Sequence, residues 1–96
     1  MKGSQTKYHL RIDEKRTTVT VDTILSRMFA IKNKIDPFKA GGHTAVRDLI
    51  QVTIDKNKIT KADGVSQTLR YIMVMQIAPT KLRDSYFKMS QADLNI

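Results

Sequence analysis

The chain predicts a mostly α fold with a short N-terminal β element, and three patterns predict it. Two stretches near the N-terminus alternate with period two, four later stretches repeat apolar residues at helical spacing, and Pro and Gly stand between them. Tyr8, Leu10 and Ile12 point one way and His9 and Arg11 the other. After the polar break Asp13-Glu14-Lys15, the β-branched run Arg16 to Val21 alternates again. Thr17, Val19 and Val21 form its inward face; Arg16, Thr18 and Thr20 form its outward face.

Asp22 follows at once and suits an N-cap, its carboxylate accepting from the first helical amides. Ile24, Leu25, Met28, Phe29, Ile31 and Ile35 then mark a first helix near 22–35. Asp36-Pro37 is expected to stop it, because the residue before Pro is pushed out of the α region. A loop with Gly41-Gly42 leads to Thr44, the expected cap of a second helix reaching about Lys56. Its stripe is Ala45, Val46, Leu49, Ile50, Thr53 and Ile54. Asn57 to Gly64 reads as a polar loop. A third helix over about 65–78 is apolar nearly all round towards its end and is expected to be buried on more than one side. Pro79 interrupts, and Thr80 is placed as the cap of a fourth helix near 81–92. The methionines at 28, 73, 75 and 89 fall in apolar stripes and read as core. No internal repeat is expected. The whole, 1–96, reads as a single domain: a disordered tail at 1–7, a core at 8–57 and a C-terminal helical extension at 65–96.

Composition narrows the function. The chain has no Cys, which removes disulfides, thiolate metal sites and cysteine nucleophiles. Its longest apolar run is Tyr71 to Met75, far short of the roughly 20 residues that cross a bilayer. No membrane contact and a cytoplasmic location are the expectations. Two histidines far apart, and no HExxH or phosphate-binding loop, give no enzyme, no metal and no cofactor. Lys and Arg number 17 against 9 Asp and Glu, a formal charge of +8, so a polyanionic partner is expected. The excess lies in 1–16 and 37–61, each net +3.

The order Arg16-Thr17-Thr18-Val19-Thr20-Val21-Asp22, then helix, Gly-containing loop and Thr44-Ala45-Val46-Arg47-Asp48-Leu49-Ile50, resembles the ribbon–helix–helix DNA-binding family of Arc and MetJ type over about residues 15–57. The resemblance implies a ribbon–helix–helix core in an intertwined homodimer. Each chain would give one strand to a ribbon that enters the major groove of double-stranded DNA. It implies base contacts from Arg16, Thr18 and Thr20. It also implies phosphate contacts at the start of the second helix from Lys39, Gly42, His43, Thr44, Ala45 and Arg47, where free amides and the dipole favour an anion. The reading is therefore a small dimeric transcriptional repressor.

This chain departs from the family in its longer connection from Asp36 to His43 and in the strand Tyr8 to Ile12. That strand folds back on Arg16 to Val21 as a hairpin, extends the ribbon, or lies outside it as an arm on the DNA backbone through Lys7, His9 and Arg11. Two other functions stay open. One is an interaction module of α+β type, with an internal hairpin and no sequence readout. The other is the antitoxin of a toxin–antitoxin pair, with a protein partner on residues 65–96.

Overall fold

The two alternating stretches pair with each other inside one chain. In the computed structural model, which describes residues 4–94, Gln5–Ile12 forms β1 and Lys15–Asp22 forms β2. They are antiparallel, with Tyr8 opposite Val19 and Arg11 opposite Arg16. The hairpin, not a separate arm, is thus the arrangement of Tyr8 to Ile12. Residues 5–7, expected in the tail, belong to β1, because Lys7 and Thr6 find partners in Thr20 and Val21. The turn is only Asp13-Glu14, both with positive φ (53° and 63°). Two such residues form the turn whose twist matches a right-twisted ribbon. The Asp13 carboxylate is held by the Lys61 N–H at 3.1 Å.

Asp22 caps α1 (Thr23–Lys32) as its position predicts, its carboxylate accepting from the Leu25 N–H at 3.0 Å. The helix ends before Asp36-Pro37, and the cause is a motif used twice. Lys32-Asn33-Lys34-Ile35 closes α1, and Lys56-Asn57-Lys58-Ile59 closes α2 (Gly42–Lys56). In each, the Asn side chain donates at 2.8 Å to the carbonyl four residues back. In each, the second Lys takes a positive φ, 63° at Lys34 and 52° at Lys58. In each, the Ile N–H reaches back to a helix carbonyl, Ala30 at 2.9 Å and Ile54 at 3.1 Å. This is the left-handed C-terminal closure that satisfies orphan carbonyls and folds a following apolar residue onto the helix. Lys-Asn-Lys-Ile thus recurs as a local helix-ending motif.

Glycine in place of a non-glycine residue at positive φ relieves about 1 kcal/mol of backbone crowding. Glu14→Gly and Lys34→Gly are each expected to raise stability by up to about 1 kcal/mol, read as a shifted urea midpoint at unchanged slope.

Thr44 is not the cap of α2. The helix begins two residues earlier, behind Gly41 at φ 77°. The Gly42 N–H donates to the Lys39 carbonyl at 2.9 Å and the Ala45 N–H to Gly41 at 3.0 Å. A glycine pair permits this entry, because Gly41 needs the left-handed region and Gly42 lies against Pro37.

A 3-10 turn at Lys61–Asp63 follows, closed by the Thr60 N–H on the Asp63 carboxylate at 2.8 Å. Then come α3 (Val65–Ile77) and α4 (Thr80–Leu94), with Thr80 inside the helix it was expected to cap.

The sheet lays one face on the helices. Tyr8, Leu10, Ile12, Val19 and Val21 are buried there with Phe29 and Ala30 of α1, Val46, Ile50 and Ile54 of α2, and Leu69 and Met73 of α3. Buried polar groups are satisfied. The Tyr8 hydroxyl donates to Ser26 Oγ at 3.0 Å, and Ser26 donates to the Thr23 carbonyl at 3.0 Å. Two methionines read as core lie outside it. Met28 joins Ile24 and Ile31 in an exposed outer stripe on α1, since its buried face is Thr23, Ser26, Phe29 and Ala30. Met89 is exposed on α4. Nor is α3 buried on two sides, as Tyr71 and Val74 are open.

Candidate nucleic-acid interface

Strand alternation places the predicted base-reading set together. Arg16, Thr18 and Thr20 share the outward face of β2, because Val19 and Val21 between them are drawn into the core; Arg16 and Thr18 are exposed, while Thr20 is half-buried in a hollow with Ser66, Gln67 and Arg70 of α3. The hairpin register sets Arg11 beside Arg16, His9 beside Thr18 and Lys7 beside Thr20 on that same face. His9 Nδ1 and Thr18 Oγ1 meet at 3.0 Å. Arg11 and Arg16 are like charges directly opposed, an arrangement that weakens a bare hairpin and favours an anion between them. Among the described residues, the one ion pair is Arg47–Asp48 at 2.8 Å, so Lys7, Arg11 and Arg16 form no direct ion pair, though Arg11 lines a hollow with Asp13, Glu14 and Asp55.

The dimensions suit a duplex. The four residue steps from Lys7 to Arg11 span roughly 13 Å, about four base steps at 3.4 Å each. A two-stranded ribbon fits the roughly 12 Å width of the major groove.

The predicted phosphate set divides. Helix α2 runs beside β1, with the His43 ring stacked on Tyr8 at 4.9 Å and 11°. Arg47, one turn on, lines a hollow of about 270 Å³ together with His9, Arg11, Arg16 and Gln51. It alone of the set joins the cationic face. Lys39, Gly42, His43, Thr44 and Ala45 stay around the first turn of α2. Gly42 is buried there, and the Gly42 and Ala45 amides are already bonded within the chain. A phosphate clamp at this turn would have the His43 and Thr44 amides to use, fewer donors than the resemblance implies.

Gln51 was not singled out by the sequence. Its Oε1 accepts from the Arg11 N–H at 2.8 Å, and its Nε2 donates to the Arg11 carbonyl at 2.9 Å. The side-chain amide thus pairs with β1 as a neighbouring strand would and covers that edge. With the turn at Asp13-Glu14, the register turns the N–H and C=O of Arg16, Thr18 and Thr20 to the other edge of the ribbon. A strand from a second chain would have to pair there.

Among the described residues, no three His, Asp or Glu side chains stand together as a metal cluster, and no helix is long and apolar enough to cross a membrane. No family model, no curated protein and no solved structure matches the chain.

Proposed function

We propose that this chain is a sequence-specific double-stranded DNA-binding protein, a small transcriptional repressor that lays the outer face of its hairpin in the major groove. The observation that carries the reading is the row of Lys7, Arg11 and Arg16, none of them in a direct ion pair, interleaved with His9, Thr18 and Thr20 on a two-stranded ribbon. Arg16 would read guanine through a two-bond contact, and Thr18 and Thr20 would meet adjacent base edges or a thymine methyl. Lys7, Arg11 and Arg47 would hold phosphates and supply most of the affinity by counterion release. In this form of the reading both strands of the ribbon come from one chain. A homodimer would then set two ribbons on two half-sites.

Selection from a random duplex pool near physiological salt tests it, with Arg16→Ala/Thr18→Ala/Thr20→Ala alongside. Wild type is expected to enrich a palindromic or directly repeated site, and the triple variant is not. Arg16→Ala alone is expected to cost about 1–3 kcal/mol of discrimination at one base pair. No enrichment, or the same enrichment by the variant, would overturn the reading. It would then favour a protein-interaction module, which the closure of the hairpin within a single chain also fits.

A further inference from the structure

Helix α4 stands off the rest of the molecule. It meets the end of α3 through an elbow at Pro79, where Arg83 Nη1 donates to the Met75 carbonyl at 3.3 Å. Leu82, Tyr86 and Met89 recur on it at i, i+4 and i+7, which is one helical face. They are 61%, 51% and 73% exposed. Across the elbow α3 offers Tyr71 and Val74, exposed at 45% and 42%. Between the two helices lies an apolar groove of about 440 Å³, walled by Tyr71, Val74, Met75, Ala78, Leu82 and Tyr86.

The chain as a whole carries too much surface. It exposes 7212 Å², against roughly 5,600 Å² for a compact monomer of this mass. Its radius of gyration is 14.6 Å, against roughly 12.5 Å for a compact chain of this length.

We propose that the α3–α4 elbow is a self-association surface, in which α4 of a second copy lies in the groove and each chain fills the groove of the other. The occupant is argued from two observations. Leu82 and Tyr86 belong both to the exposed stripe of α4 and to the wall of the groove, so the chain offers one continuous apolar patch, and a two-fold axis sets that patch against its own copy. The area also suffices. Tyr71, Val74, Leu82, Tyr86 and Met89 leave roughly 550 Å² open per chain, at about 200 Å² for a large side chain. That is roughly 1,100 Å² of apolar surface over two copies. Covered in full, that clears the roughly 1,000 Å² expected of a specific interface. This inference stands independently of DNA binding.

Light scattering across a concentration series tests it on the full chain, with Leu82→Glu/Tyr86→Glu on α4 and Val74→Glu on α3 as separate variants. All three substituted side chains are exposed, and circular dichroism checks that each variant is folded. Wild type is expected to be a dimer at micromolar concentration, and each variant is expected to weaken the dimer at least 100-fold while keeping its helix content. A wild-type monomer at 100 µM would overturn the proposal and assign the groove, rimmed by Arg70 and Arg83, to a different protein. A dimer that persists in both folded variants would overturn it as well, since the contact would then lie elsewhere.

Discussion

Val19→Asp is expected to leave the protein unfolded at 25 °C. Val19 is 2% exposed, faces Tyr8 across the hairpin and lies in the shared core. Burying an unpaired carboxylate there costs several kcal/mol, and the lost valine burial adds about 2 kcal/mol. A domain of this length is held by roughly 5–14 kcal/mol, so the substitution removes most or all of it. Far-UV circular dichroism in the absence of denaturant reads the outcome. A cooperative melt close to wild type would contradict the inward placement of Val19. The neighbouring change Thr18→Asp, one residue away on the solvent face, is the matched control. It is expected to keep the fold within about 0.5–1 kcal/mol while setting a negative charge in the middle of the cationic row. Its DNA affinity is expected to fall without loss of structure, which separates the two faces of one strand.

Gly42→Ala is expected to cost about 3 kcal/mol. A Cβ at Gly42 would stand 2.5 Å from the Pro37 carbonyl oxygen and 2.7 Å from its carbon. Both are backbone atoms, and the proline ring limits how they can move. The loop must shift or the start of α2 must fray, at the upper end of what overpacking costs. Gly41→Ala makes the contrast. Nothing lies within 4 Å of its added Cβ, and only the φ of 77° opposes it, so about 1–2 kcal/mol is expected. Urea denaturation of the two variants reads both. Equal midpoints would show that the approach to Pro37 is not the constraint.

Period-two alternation and the β-branched run placed Val19 and Val21 inward and Arg16, Thr18 and Thr20 outward, as found. Asp22 was recognisable as a cap because a carboxylate at the strand–helix junction has few other local uses. The four helices and their order followed from apolar spacing. The end of α1 was misread because Pro is a loud stop signal and Asn-Lys is a quiet one. The repeat of Lys-Asn-Lys-Ile was the available clue. Thr44 draws the cap assignment because its hydroxyl can accept from first-turn amides, whereas the observed entry uses Gly41 in the left-handed region and needs no side-chain cap. Met28 and Met89 were assigned to the core on hydrophobicity, which states what a side chain prefers and not whether a neighbour is there to cover it.

The sequence by itself determined the periodicities, the capping carboxylate, the order β-β-α-α-α-α and the excess of positive charge, because each depends on residues within a turn or two of one another. Tertiary structure alone decided three further things. It closed the hairpin within the chain, which sets Lys7, His9 and Arg11 beside Arg16, Thr18 and Thr20. It brought Gln51 to Arg11 across 40 residues of chain, covering the β1 edge. It left α4 and one side of α3 without cover. Gln51 meets Arg11 across distant segments, while the pairing of the hairpin and the bare face of α4 depend on which partner surface is at hand. The free energy of each depends on which surfaces meet when the core forms, and local pattern carries no record of that.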